Sequence, residues 1–399
     1  MSSLDVTVEH LRDLIAFPTV SRDGNLEIIA YLEAALAKLG AKTLVWRNDA
    51  GDKANLFATL GPEIDGGIVL SGHTDVVPVD DQDWSSVPFT LGERHERLYG
   101  RGSCDMKGFV AATLAAAHDY AAADLQRPVH FAFTHDEETG CLGARDMMPK
   151  IDALPFRPSV CIVGEPTEMR VIDGHKGCYE YTVRFKGLEG HGSLPALGGN
   201  AVEHAVRYVA RLMEIREDRK ARAPADSRFD PPWTTLQVGR LSGGVAHNVI
   251  PGEAELRWEM RPVQDGDADF VKDEINAYAE KVLLPAMRAV FPDADIETEI
   301  IGEVVGLAPA PSSEAQEIVA KLTGANGSDV VSFGTEAGLF DQLGISTVVC
   351  GPGSIEQAHK ADEYVSRDQL ATALHMLKGL TATLSRPPAV AVGSGKGSP

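Results

Sequence analysis

The stretch Ile68-Val69-Leu70-Ser71-Gly72-His73-Thr74-Asp75 decides the fold class. Three apolar residues read as a short buried strand, and the small pair Ser71-Gly72 ends it in a loop bearing a histidine and an acid. The arrangement recurs along the chain. Val129 to Phe133 is a strand ending in Thr134-His135-Asp136-Glu137-Glu138, and Val160 to Val163 ends in Gly164-Glu165. Thr347 to Cys350 ends in Gly351-Pro352-Gly353, with His359 in the loop beyond. Residues 4–17 and 25–39 read as amphipathic helices, the second closed by Gly40, and 108–123 as an Ala-rich helix. Short β-rich runs alternating with helices predict an α/β fold with a mostly parallel sheet.

The middle of the chain has another rhythm. Tyr179 to Lys186 alternates like a half-buried strand, and Asn200 to Arg216 is helical. Thr235 to Leu241 and Ala254 to Met260 read as strands, Asp267 to Val290 as one long helix, and Ile296 to Ile301 as a last strand. The order β-α-β-β-α-β is the ferredoxin-like pattern. A small α+β domain is therefore expected at 179–303, inserted into an α/β domain made of 1–178 and 304–385, with 386–399 a Pro/Gly/Ser-rich tail.

Composition narrows the function classes. With 37 Lys+Arg against 58 Asp+Glu, the net charge of -21 argues against nucleic acid or an anionic membrane as partner. It fits a cationic small molecule, metal ions, or solubility alone. The five cysteines, Cys104, Cys141, Cys161, Cys178 and Cys350, show no C-x-x-C spacing, so reduced thiols in a cytoplasmic protein are expected. The opening MSSLDVTVEHLRDL carries acids early and lacks an apolar stretch, so no secretory signal is expected, and no run of 18 apolar residues suggests a membrane span.

The candidate ligands fall where the fold would gather them. In open α/β sheets, ligands bind at the carboxyl ends of the strands. Five loops deliver His73, Asp105, the pair Glu137-Glu138, Glu165 and His359 to that edge. Taken singly, each reads as well as a polar loop residue. Together they match a two-metal site with mixed nitrogen and oxygen ligands, zinc first among the candidates. Asp75 stands two residues from His73, where it can hold one ring nitrogen. Of the adjacent acids at 137 and 138, one can bind metal while the other stays free as a base.

The segments SGHTDVVP (71–78), YGRGSCDMKG (99–108), HDEETG (135–140), VGEPT (163–167), GGVAHNVIPG (243–252) and GPGSIEQAHKADEY (351–364) resemble those of the M20 family of two-zinc deacylases and peptidases. The resemblance runs from about residue 5 to 385. It implies a zinc-peptidase-like catalytic domain with an inserted domain through which two copies dimerise. It also implies two divalent ions, zinc or alternatively cobalt. His73 and Glu165 would hold one ion, Glu138 and His359 the other, and Asp105 would bridge them. Glu137 would be the general base and Asp75 the partner that orients His73. His191 matches a histidine that acts on the tetrahedral oxyanion from the partner subunit. Its neighbours here are Gly190 and Gly192, where the family has Ala and Ser.

On the substrate side, the resemblance has Arg261 pairing with a carboxylate and Asn248 donating a hydrogen bond. Gly334, Thr335 and Glu336 would line the acyl or side-chain pocket. The implied reaction is hydrolysis of an N-acyl amino acid, N2-acetyl-L-ornithine first, as a step of arginine biosynthesis. Alternatives are desuccinylation of succinyl-diaminopimelate, aminoacylase or dipeptidase activity. From another class, the chain would be a catalytically silent protein that binds metal or amino acid.

Overall fold

The structure is a computed structural model, and it describes residues 2–264 and 266–388. All but the first three residues of the expected tail lie outside the described residues. The chain divides into two compact units: Met1–Asp173 with Ala310–Asp329 and Leu339–Pro399, and Gly174–Pro309 with Val330–Gly338. The second unit thus starts before residue 179, ends after 303, and also takes in a later segment.

The first unit is built on an eight-stranded sheet. Its strands follow the order Lys42–Arg47, Ala54–Leu60, Val129–Thr134, Gly67–His73, Pro158–Pro166, Ser346–Gly351, Ile172–His175 and Asp329–Val331. The last two run across the boundary with the second unit. The sheet is parallel through its centre: Gly67–His73 pairs in parallel with both Val129–Thr134 and Pro158–Pro166, and Ser346–Gly351 with Pro158–Pro166. Pairing turns antiparallel towards the edge, between Ala54–Leu60 and both its neighbours. The central strands are buried along their whole length because helices cover the sheet, which explains their unbroken apolar runs.

The Ala-rich helix Lys107–Ala122 is buried on nearly every side, packed between Ser3–Ile15 and Arg367–Gly379. Alanine there lets three helices approach closely while keeping a high helix propensity. Ser2 caps Ser3–Ile15 in a capping box with Asp5, and Ser366 caps Arg367–Gly379.

The parallel register does the positioning. His73 lies opposite Thr134, and Ser71 opposite Val163. The loop holding Glu137 and Glu138, and Glu165 near its own strand's end, therefore emerge beside His73.

The second unit has a four-stranded antiparallel sheet in the order Thr235–Gly243, Glu253–Arg261, Cys178–Lys186, Asp295–Val304. This is the ferredoxin-like arrangement. Its core joins Tyr181, Val183, Phe185, Leu256, Trp258 and Met260 of the sheet to Tyr208, Leu212 and Ile275 of two helices. The expected single helix from 267 to 290 is instead Asp267–Tyr278, a wide turn at Ala279–Leu283, and Leu284–Arg288. Pro285 is the cause: it lacks an N–H, and its ring crowds the carbonyl one turn back. Among the described residues, no helix is long and apolar enough to cross a membrane.

Candidate active site

His73, Asp105, Glu138, Glu165 and His359 come together in the first unit at the carboxyl ends of the parallel strands. His73 Nε2 lies 3.0 Å from Asp105 Oδ1 and 3.7 Å from Glu165 Oε1. The other oxygen of Asp105, Oδ2, lies 3.3 Å from His359 Nε2, which is 3.0 Å from Glu138 Oε2. One carboxylate thus turns its two oxygens to two different imidazoles. Ligand atoms of His73, Asp105 and Glu138, and separately of His73, Glu137 and Glu165, lie within 4.8 Å of one another.

Asp75 does more than the sequence suggests. Its main-chain oxygen is 3.0 Å from His73 Nδ1 and its carboxylate 3.6 Å away. The carboxylate also accepts the backbone N–H groups of Glu137 and Glu138, at 3.1 and 3.4 Å, and the Ser21 hydroxyl at 2.7 Å. It therefore holds the acidic loop as well as the imidazole. Cys141 donates its thiol to Glu137 Oε1 at 3.4 Å. Gly164 precedes Glu165 under the Phe109 ring, where a Cβ would stand 2.0 Å from ring carbons. Only glycine allows the strand this close to the Ala-rich helix.

The electrostatics are those of acids crowded out of water. Burial pushes Glu137 up to about 8, opposed by His73 and reinforced by Glu138 and Asp105. Burial and Asp105 raise Glu138 to about 6 against its hydrogen bond from His359. Burial, then Asp105, holds Glu165 well above the usual range. For Asp105, burial is outweighed by hydrogen bonds from His359 and His73, so its carboxyl lies low. The same contacts, with Glu138, lift His359 to about 10. Burial opposes charge on His73, but Asp105, Asp75 and Glu165 outweigh it and raise its pKa.

Neighbouring cations are engaged elsewhere. Lys53 pairs with Asp136, Arg101 with Glu363, and Lys107 donates to the Leu14 and Phe17 carbonyls. Among the described residues, the four carboxylates of Asp105, Glu137, Glu138 and Glu165 face the two imidazoles of His73 and His359, so the acids outnumber the cations beside them. Two imidazoles facing convergent carboxylate oxygens fit a pair of divalent cations with N/O preference. Lys107 is thereby a structural strut, and Cys104, buried with its thiol on the Ser354 carbonyl, a packing residue.

The remaining candidates lie in the second unit. His191 and Asn248 are exposed neighbours: His191 pairs with Val249 across a short ladder, and Gly192 N–H donates to Asn248 O at 2.8 Å. His191 Nδ1 meets the Ser193 hydroxyl at 2.7 Å. Arg261 ends its strand half-buried and bound to Glu259 through Nε and Nη2, at 3.2 and 3.1 Å. Gly334 packs on Cys178. Thr335 is buried against His175 Nε2 at 3.1 Å, and Glu336 is also buried.

An α/β sheet with imidazoles and carboxylates converging at its strand ends defines a hydrolytic metal centre. Residues 69–383 match the family described as Peptidase family M20/M25/M40, and the chain belongs to it. It is a metal-dependent amidohydrolase. Acetylornithine deacetylase of Klebsiella pneumoniae (strain 342) is 36% identical over 371 residues, 91% of this chain and 94% of that protein. The M20 family metallo-carboxypeptidase Sso-CP2 from Sulfolobus solfataricus shares the fold, with TM-score 0.76 at 18% identity over 95% of this chain and 99% of that one. So does the Bacillus subtilis YXEP protein, a dinuclear metal binding peptidase, with TM-score 0.63 at 14% identity over 96% and 98%.

Proposed function

We propose that the chain hydrolyses N2-acetyl-L-ornithine to L-ornithine and acetate, using two divalent ions, zinc by preference and cobalt as a substitute. The observation that carries the substrate is the 36% identity to acetylornithine deacetylase across nine-tenths of both chains. His73 and Glu165 would hold one ion, His359 and Glu138 the other, with Asp105 shared. When bound, the ions acidify the attacking water and polarise the amide carbonyl. Glu137 takes the water's proton and passes it to the leaving nitrogen, base becoming acid. Asp75 keeps His73 and the Glu137 main chain in place. By the resemblance, the partner subunit's His191 would donate to the developing oxyanion, with Asn248 a further substrate-side donor. Arg261 offers its guanidinium to the substrate carboxylate in competition with Glu259, while Gly334, Thr335 and Glu336 shape the pocket.

A substrate panel tests this. The kcat/KM for N2-acetylornithine should exceed that for succinyl-diaminopimelate and for dipeptides by about 100-fold or more, the scale on which a pocket discriminates ligands by size. A preference for either competitor reassigns the substrate within the family. Tight amino-acid binding without hydrolysis in added zinc or cobalt would make the chain a binding protein.

The reading includes a cytoplasmic homodimer, in arginine biosynthesis, formed through the second unit. Edge strand Thr235–Gly243 is largely exposed, and the Ala201–Ala221 helix exposes Val206 and Met213, at 50% and 48%. Sedimentation velocity should give a dimer that Met213→Glu converts to monomer; a wild-type monomer at micromolar concentration refutes it.

A further inference from the structure

We propose that Glu363, with its ion-pair partner Arg101, is the positioning residue that fixes Asp105 and through it the affinity of both metal sites; this rests on the reading of Asp105 as the shared ligand. Strand Tyr364–Ser366 pairs antiparallel with Arg97–Tyr99, Tyr364 opposite Tyr99, and Gly100 N–H donates to Glu363 O at 3.0 Å. That pairing sets the Glu363 side chain under the turn that carries Asp105.

The carboxylate organises the turn. Its Oε1 accepts the backbone N–H groups of Cys104 and Asp105 at 2.8 and 3.0 Å. Its Oε2 accepts Gly102 N–H at 3.1 Å and Arg101 Nη1 at 2.6 Å. Gly102 has φ +83°, which curls the turn so that its N–H groups converge. Glu363 and Arg101 are each 1% exposed, so no water can replace either partner. A packing role alone would be met by an apolar side chain. A buried carboxylate taking three main-chain donors instead specifies the path of the turn.

The network also reaches the other ligand loop. Arg101 donates to Lys360 O at 3.2 Å and to Gln82 Oε1 at 2.6 Å, and Gln82 Nε2 donates to His359 O at 2.9 Å. His359 has φ +62° and a half-exposed ring, so its direction depends on how its main chain is held. One buried ion pair thus ties the loop of Asp105 to the loop of His359. Partners behind the ligands tune affinity because they fix ligand orientation before the ion arrives.

The test titrates zinc into metal-stripped protein by calorimetry and records the visible spectrum of the cobalt-loaded form. Glu363→Gln keeps the side-chain volume but replaces one acceptor oxygen with a donor. It should weaken binding at both sites by about 10-fold or more and shift the cobalt bands. It should also speed hydrogen exchange at the Gly102, Cys104 and Asp105 amides of the stripped protein. Gln82→Ala, which releases the His359 main chain and takes one acceptor from Arg101 while leaving the Glu363–Arg101 pair in place, should weaken the site that holds His359 more than the other. Wild-type affinities and an unchanged cobalt spectrum in both variants overturn the proposal, even if melting temperature falls. If Glu363→Gln does not fold, Gln82→Ala decides alone: a weakened His359 site supports the network and two unchanged sites overturn it. Asp105→Ala, run in parallel, separates the two readings. If that variant still binds both ions normally, the assignment of Asp105 has failed rather than the role of Glu363.

Discussion

Glu137→Ala should keep both metal ions and lose turnover, with kcat down about 10²–10⁴-fold and KM little changed. The adjacent glutamates are placed differently. Glu138 is engaged by His359 at 3.0 Å, while among the described residues the Glu137 carboxylate meets the Cys141 thiol at 3.4 Å. A weak sulfur donor leaves that carboxylate able to exchange a proton, and its pKa of about 8 lies near working pH. Bound cations would lower that value, keeping Glu137 ionised as a base. The competing geometry is that Glu137 is itself a ligand, since its oxygen lies within 4.8 Å of the His73 and Glu165 ligand atoms. Metal analysis beside kinetics distinguishes the two. Loss of an ion in Glu137→Ala makes it a ligand; full turnover with both ions retained removes it from the chemistry.

What could be read before the fold was known follows from how local each signal is. A parallel strand buried on both faces writes itself as a short apolar run, and its functional loop is the polar segment just after it. His73, Glu137, Glu138, Glu165 and His359 could therefore be picked from single stretches. Antiparallel strands Lys42–Arg47 and Ala54–Leu60 left no comparable mark, because the first is half-exposed and the second, though buried, interrupts its apolar residues with Asn55 and Thr59. The supports were less legible still. Ser21 meets Asp75 across 54 positions and Glu363 meets Asp105 across 258, so no local periodicity records them. Glu363 did stand inside the HKADEY stretch, yet only the structure gives its carboxylate a task. The turn at Ala279–Leu283 was signalled by Pro285, which the long apolar pattern concealed.

Stripping the metals with a chelator should abolish hydrolysis and leave a protein that loses stability as pH rises from about 5 to about 8. Glu137 and Glu138 rise in the folded chain from 4.5 to about 8 and about 6, and Glu165 rises well above 4.5. A raised carboxyl holds a proton in the folded state that the unfolded chain has released. Its contribution is full below the unfolded value and disappears as pH climbs through the folded one. His359, raised from 6.5 to about 10, acts in the same direction between those values. Asp105 is lowered, and its opposite contribution falls below 3.8, outside the window. The raised acids therefore weaken the stripped protein progressively as pH climbs through this window. Bound cations remove this penalty by giving the ionised carboxylates partners, and at a thousand times Kd each adds about 4 kcal/mol of stability. Thermal melts of stripped and zinc-loaded protein at pH 5, 6.5 and 8 check this. The gap between the two melting temperatures should widen steadily with pH. A gap that is constant or narrows would mean that the buried acids are compensated within the chain and need no metal.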